Sequence, residues 1–493
     1  MPSDRLLACN RAKSLISYNR NELCFGIRND GGDVMKQPAA AGIRDFTHGS
    51  IPQQLVSFAW PLFLSNLLQI VYNMVDMVVV GQALGKTGIS AVAVGGDVAH
   101  FLTMIAMGFS SAGQVLIARY IGAKQQHKLG RFVGTMTGFL MATAVVLGAA
   151  SLALQDKILQ WMNTPAEAYA GARDYAGICM MGLVFIYGYN VVSAILRGMG
   201  DSKHPFIFIS IAAVLNLVLD LVFVLGFGMG AGGAALATVI GQGVSFVACA
   251  IFLARNRERF HLEIKASAFF RWDQEMLADL LKLGTPMALK SAAISISKLV
   301  VNAWINSYGV AVSAFAGIAS KIGNISNLVS NAMNTAGSTM VGQNIAAGEF
   351  DRVNKILKCL AGICLSVAAV FGAVVCLFPN LIFGMFTSDP AVLAIVPGYL
   401  PIAVLLFFGS GSRAIMNALI NGSGNYKINF VTAILDGIVM RIGLALLFGL
   451  ALGMQHYGFW LGDALAGFTP FLIGLVFYRT GLWKKGRVQQ TET

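Results

Sequence analysis

The chain has 493 residues, 56% of them apolar and only 12% charged, with a net charge of +12 and a mean hydropathy of +0.69. Soluble domains carry about 25% charged residues, so this composition excludes a soluble enzyme and defines a polytopic membrane protein. At about 20 apolar residues per span there is room for roughly a dozen spans and no large soluble domain, which makes the fold class all-α.

Residues 1–50 are polar, carry charges of both signs and contain no apolar run that could serve as a signal peptide; they read as a cytoplasmic tail. Met35, followed by KQPAAAGIRDFTHGSIPQQL, reads as the more natural start, which would make residues 1–34 an over-long beginning. Apolar runs then follow at about 53–83, 90–118, 131–154, 175–196, 205–227 and 232–254. After a basic linker, six more fall at about 280–308, 313–342, 356–378, 392–420, 428–453 and 458–478. The domain reading is an N-terminal six-helix bundle over 51–254, a cytoplasmic linker over 255–279, a C-terminal bundle over 280–478 and a cytoplasmic tail over 479–493.

The +12 charge invites a nucleic-acid reading, but the excess basic residues lie in alternate loops. One set carries Arg119, Lys124, Lys128 and Arg131, then Arg197 and Lys203, the linker arginines, Arg352, Lys355 and Lys358, Lys427, and finally the C-terminal tail; the other set carries only Lys86, Lys157 and Arg173. Cytoplasmic loops hold the Lys/Arg excess, so the pattern predicts an even number of spans with both termini cytoplasmic. A multi-pass protein of the cell membrane, most simply a bacterial inner membrane, follows. Seven cysteines form no CxxC pair and five fall in or beside apolar runs, so neither a disulfide nor a cysteine metal site is expected.

The chain repeats itself. ILRGMGDSK at 195–203 returns as LINGSGNYK at 419–427, and AGQVLIARYIGA at 112–123 returns as AGSTMVGQNIAA at 336–347, both at an offset of 224; Pro61 and Pro286 match within one residue of it. Two six-span copies in the same orientation imply a parallel pseudo-twofold axis along the membrane normal, with the functional cavity between the halves. That is transporter architecture. The Gly81/Gly85 and Gly134/Gly138 pairs read as close helix-packing sites, and GFGMGAGG at 226–233 as a tight external turn. The chain has no Walker A sequence, so it encodes no ATP-binding loop of that type.

Polar residues inside the spans name the candidate site. Ser65, Gln69, Asn73 and Asp76 recur at helical spacing on one face of the first span. A carboxylate there costs about 2.5 to 3.5 kcal/mol on insertion scales, and such a group by default faces a water-filled cavity or a partner. Asn216 and Asp220, four apart on the fifth span, can reach one cation or a shared proton, and Thr238 follows on the sixth; the alternative is a structural hydrogen-bonded cluster between helices. The second half is opposite in sign: Lys290, Lys298 and Asn302 on the seventh span, Arg413 on the tenth, Arg441 on the eleventh, and Lys321, Asn324, Asn327, Asn331 and Asn334 along one face of the eighth. Lys290, Lys321 and Arg441 can snorkel to an interface. Lys298, about 16 residues beyond Lys282, falls near mid-membrane at about 1.5 Å per residue. Asp436 and Asp463 are candidate counter-ions whose partners spacing does not assign.

From about Ile51 to Tyr478 the chain resembles the multidrug and toxic compound extrusion (MATE) family, on FAWPLFLSNLLQIVYNMVDMVVVGQ, RGMGDSKHP, NLVLDLVFVLGFGMGAGGAALATVIGQ and the echo LINGSGNYK. The resemblance implies a V-shaped pair of six-helix bundles exporting organic, often cationic, compounds by antiport with protons or sodium. It carries the family's N-terminal cation site over to Asp76, Asn216, Asp220 and Thr238, with Gln69 and Tyr175 as neighbours, and matches Pro61 to the first-span proline at which that helix bends. Some branches of the family place acidic residues in the seventh and tenth spans, where this chain has lysines and Arg413.

The reading is therefore a secondary active efflux transporter, not an enzyme, working by alternating access. Its coupling ion is H⁺, or Na⁺ held at Asp76, Asn216, Asp220 and Thr238; it needs no other cofactor. Asn73 joins Gln69 and Tyr175 as a cavity neighbour, and Lys298, Asn302, Asn331 and Arg413 are the candidate substrate cavity of the second half. The expected partners are a small-molecule substrate and membrane lipid, without nucleic acid, the protein acting as a monomer. Two other readings start from the cationic second half: a flippase for a lipid-linked oligosaccharide and an exporter of anionic metabolites. An integral-membrane transferase would need acidic or histidine clusters at span ends, and the six histidines are scattered.

Overall fold

Gly85 and Gly309 mark the same place in two copies of one design. The structure, a computed structural model, describes residues 42–263 and 266–486; the over-long start read for residues 1–34 lies outside the described residues. The helix Ile51–Gly122 runs for 72 residues and leaves helical torsions at Gly85, with φ 61° and ψ −149°. A straight helix would hold Gly81 and Ile89 about 12 Å apart, yet a Cβ on Gly81 would sit 2.9 Å from the Ile89 side chain. The chain therefore reverses at Gly85, and the one long helix is spans 1 and 2. At Gly309, 224 residues on, φ is 107° between spans 7 and 8. Only glycine adopts such torsions without strain, so Gly85 is a turn residue with open space around it rather than a packing site. The Gly134/Gly138 pair does allow close approach, but to the linker turn Ala266–Phe269 instead of a neighbouring span.

The remaining spans follow in order: span 3 is Gln126–Ala153, span 4 the pair Ala166–Met181 and Leu183–Gly198 bent by 50°, span 5 Lys203–Gly226 and span 6 Gly230–Arg255. In the second half, span 7 is Gln274–Asn306, span 8 Val310–Ala347, span 9 Phe350–Leu377, span 10 Val396–Gly422, span 11 Tyr426–Ala451 and span 12 Gln455–Arg479. Nine described helices are long and apolar enough to cross a membrane; the bent pair adds a tenth, the Gly85 break divides the longest, and the asparagine-rich span 8 completes twelve. Apart from turns and short helices, every described element is helical, with no strand among the described residues. Pro61 lies inside span 1, where the torsions stay helical.

The repeat holds at atomic detail. Spans 4 and 10 end in the same left-handed glycine, Gly200 at φ 88° and Gly424 at φ 68°. The next residue caps the following span in each copy: Asp201 accepts from the His204 N–H at 3.1 Å and Asn425 from the Ile428 N–H at 3.2 Å. A Cβ on Gly198 would lie 2.8 Å from the Gln114 carbonyl, and one on Gly422 2.8 Å from the Ser338 carbonyl, so spans 4 and 10 cross spans 2 and 8 at backbone contact. GFGMGAGG makes the turn expected of it, with Gly228 and Gly230 at positive φ.

The core divides into four clusters, two per half. Toward the end with the basic loops the halves exchange elements. Leu55, Phe58 and Leu62 of span 1 pack with Ala336, Met340 and Leu360 of the second half, while Met276, Leu280 and Leu283 of span 7 pack with the first. Gly108 lies against Ala288 and Gly122 against the Gln343 carbonyl. Residues 42–50 strap across this end. The Arg44 N–H donates to the Met199 carbonyl at 2.9 Å, and the Phe46 carbonyl accepts from Asn344 at 3.1 Å and Arg352 at 2.8 Å. The contacts between spans 2 and 7 extend as far as Met104 and Ser295.

Candidate functional site

Asp76 sits two turns before the Gly85 reversal and is 3% exposed; Asn216 is 3% and Asp220 0% exposed. Spans 1, 5 and 6 bring them together. Thr238 Oγ1 donates to Asp76 Oδ2 at 3.4 Å. With its amide nitrogen facing Asp76, Asn216 donates to Asp76 Oδ1 at 3.0 Å and accepts from the Thr238 backbone N–H at 3.2 Å. Asp220 faces Asp76 within interaction range, and both of its carboxyl oxygens are buried without any other hydrogen-bond partner. A carboxylate only accepts, so the two groups can bond each other only when one of the pair carries a proton. Asp220 is the last helical residue before a wide π turn over Leu221–Gly226; such turns are frequent at functional sites.

Around the pair, the Tyr175 hydroxyl faces Thr238, and Tyr72 and Gln242 face each other across the same small space. A small cavity beside it is lined by Tyr72, Asn216, Thr238, Gly241 and Gln242. A Cβ on Gly241 would sit 3.2 Å from the Ala212 carbonyl, so glycine there lets spans 5 and 6 approach closely beside Asn216. The four sequence-chosen residues thus meet, and Tyr175 meets them. Gln69 is half-buried and Asn73 exposed on span 1, and neither has a recorded bond to the pair. Sequence reasoning missed Tyr72 and Gln242, although each lies four residues from a chosen one, Asp76 and Thr238, which is the helical spacing that would have found them.

The second half contains a cavity of about 100 Å³, partly open to solvent, lined by Lys298, Asn302, Asn324, Asn327, Arg413, Arg441, Asp463 and the aromatic pair Tyr399 and Trp460, among others. Arg413 bonds Asp436 at 3.1 Å; Arg441, 1% exposed, bonds Asp436 at 3.4 Å and also Asp463. Asp436 lies in a second π turn, Leu435–Val439. Arg441 is therefore a buried member of an ion network rather than a snorkelling side chain, and Lys290 likewise turns inward, donating to Asn417 Oδ1 at 2.7 Å. Lys321 is exposed. Asn331 is not part of the cavity lining and is exposed. It shares the face of Asn324 but lies seven residues, about 10 Å, further along span 8. Asn327 takes its place, accepting from Ser410 at 2.9 Å.

Twelve spans in two copies of one bundle, with a sealed carboxyl pair in one and a charged cavity in the other, define a two-bundle membrane transporter. The MatE family pattern matches residues 61–222 and 286–461, beginning each time at the repeated proline, and the chain belongs to that family. It is similar to "Probable multidrug resistance protein YpnP" of Bacillus subtilis, 28% identical over 440 residues that cover 89% of this chain and 97% of that one. "Probable multidrug resistance protein NorM" of Thermotoga maritima is 25% identical over 90% of this chain and 95% of its own. Among solved structures, a MATE in the bent conformation matches with a TM-score of 0.81 at 23% identity, over 89% of this chain and 98% of that one. The outward-facing conformation of a multidrug resistance MATE family transporter also gives 0.81, at 22% identity, over 92% and 100%. The chain is thus a multi-pass membrane protein of an efflux-transporter family, whose members are transporters rather than enzymes.

Proposed function

We propose that the protein exports organic compounds by alternating access, driven by inward movement of H⁺ or Na⁺ through the Asp76–Asp220 pair. The observation that carries this reading is the juxtaposition of two buried carboxyl groups from different spans, Asp220 with neither oxygen otherwise bonded. Two adjacent carboxylates in a dry site repel, so the pair holds one proton or exchanges it for a cation. A sodium ion would take the oxygens of both aspartates with those of Asn216 and Thr238, since hard cations prefer oxygen ligands. Either way, charge on the pair sets how closely span 1 packs on span 5, and span 1 also packs on the second half through Leu55 and Phe58.

With the basic loops cytoplasmic, the halves meet at the cytoplasmic end, which corresponds to a state closed to the cytoplasm. Neutralising the pair from outside then repacks span 1 and favours release; discharge inside resets it. The multidrug names of the relatives support a drug-like cargo. A membrane potential of about 100 mV contributes roughly 2.3 kcal/mol per charge moved. Proteoliposomes loaded with a fluorescent drug, given a pH gradient and a sodium gradient separately, test the proposal. Export is expected to follow one gradient; transport indifferent to both would overturn the antiport reading.

A further inference from the structure

The ion network of the second half does not balance. Four cationic side chains, Lys290, Lys298, Arg413 and Arg441, surround two carboxylates, Asp436 and Asp463. Both carboxylates are already held, Asp436 by Arg413 and Arg441, and Asp463 by Arg441. Of the remaining cations, Lys290 is turned away onto a neutral amide, Asn417. That leaves Lys298, which lines the cavity with Asp463 as its main electrostatic partner but makes no hydrogen bond among the described residues, so the cluster keeps two positive charges in excess. The Arg413 Nε, also in the cavity wall, is buried without a partner. Uncompensated cations at membrane depth are costly, and a ligand that supplies the missing negative charge relieves that cost.

We propose, on the footing of the efflux reading above, that this cavity receives the acidic group of an aromatic organic anion, a sulfonate or carboxylate, with Lys298 and Arg413 as its charged contacts. Asp463 also lines the cavity, its charge met by Arg441, and the neutral part of the lining fits that chemistry. Asn302, Asn324 and Asn327 offer amide donors on one side. On the other, Tyr399 and Trp460 meet edge to face with ring centroids 5.3 Å apart and give a ring an apolar wall to lie against. The two halves then divide the work by charge: the acidic pair of the first takes the inorganic cation, and the basic cavity of the second takes the organic anion. Moving an anion out and a cation in carries charge in one direction only. Export is therefore electrogenic, and about 100 mV inside-negative adds roughly fifty-fold to the concentration ratio for each unit charge.

The test uses two size-matched probes, naphthalene-1-sulfonate and 1-methylquinolinium, binding to the purified full-length protein in nanodiscs of phosphatidylcholine. Saturable binding of the sulfonate is expected. Lys298→Gln should weaken it at least tenfold and Lys298→Arg should restore it, with 1-methylquinolinium unweakened by either change. Because Arg441 still holds Asp463, neither substitution orphans a carboxylate. Saturable binding of the quinolinium alone, or sulfonate binding indifferent to Lys298→Gln, overturns the proposal. So does displacement of the sulfonate when phosphatidylglycerol is added to the discs, which would assign the cavity to a lipid headgroup. In proteoliposomes, sulfonate export should accelerate under an inside-negative potassium-valinomycin potential. Bound sulfonate that is not transported under any gradient would overturn the efflux reading and leave the subsite; quinolinium transport without sulfonate binding would do the reverse.

Discussion

Gln114 on span 2 donates to Thr339 Oγ1 on span 8 at 2.7 Å, while its own side-chain oxygen accepts from Arg197 Nε on span 4 at 3.0 Å. Gln114 and Thr339 are buried, and the bond crosses from one half to the other at the end where the halves close. Opening that end must break it. Gln114→Ala removes the acceptor for Arg197 and leaves that guanidinium with Ser193, at 2.7 Å, among its recorded side-chain partners. That loss lies within the first half and falls on both states, whereas the bond to Thr339, a hydrogen bond contributing about 0.5 to 1.5 kcal/mol, is lost from the closed state alone. We expect the variant to populate the state open at the basic end several-fold more than wild type. Spin-label distances between Lys124→Cys and Lys355→Cys read this directly; an unchanged distance distribution would remove Gln114 from the closure.

A second closure element is Phe46, which is fully buried although it lies in a segment without helical periodicity. Its ring packs on Phe58, centroids 5.3 Å apart, and its carbonyl takes two donors from spans 8 and 9. Truncating a buried phenylalanine costs about 3 to 5 kcal/mol. Phe46→Ala should release residues 42–50, raising their hydrogen exchange while exchange in spans 5 and 6 stays as it was. Phe46→Leu, which keeps most of the volume, should behave like wild type.

At the carboxyl pair, Asp76→Asn should abolish gradient-driven export while the protein still inserts and folds. The amide can donate to Asp220, so the two side chains can still pair, but without an exchangeable proton. Proton release on substrate addition, measured with a pH dye, should vanish in Asp76→Asn and Asp220→Asn alike. Full coupled export by either variant would end the role assigned to the pair.

The helices, their order and the repeat were legible in the sequence, because apolar runs and glycine positions are local signals. Gly85 and Gly309, or Gly200 and Gly424, stand 224 residues apart in the sequence and share a backbone geometry in the structure. Asp76, Asn216, Asp220 and Thr238 were legible as well, since an ionisable or amide side chain inside an apolar run stands out. What spacing could not supply was rotation and depth. Asn331 shares a face with Asn324 and still misses the cavity by its height along span 8, and Arg441, whose length allows snorkelling, turns inward to Asp436 and Asp463. The strap was hidden for a different reason. Nine residues held by backbone carbonyls and one aromatic ring leave no periodic pattern, and a Phe in a polar tail has no signature of burial.

The ion network allows a last contrast. Arg441 is the one described cation that bonds both carboxylates of this network, Asp436 and Asp463, whereas Lys298 bonds neither. Removing one partner of a buried charge pair costs about 3 to 5 kcal/mol because the other charge is stranded, while replacing the whole pair with apolar side chains is often close to neutral. Arg441→Met should therefore lower the thermal midpoint sharply and reduce yield in the membrane. Adding Asp463→Leu to it should recover a good part of the loss, Asp436 still being held by Arg413 at 3.1 Å. Lys298→Met should leave the midpoint near that of wild type. A double variant no more stable than Arg441→Met alone would show that Asp463 is held by something other than Arg441.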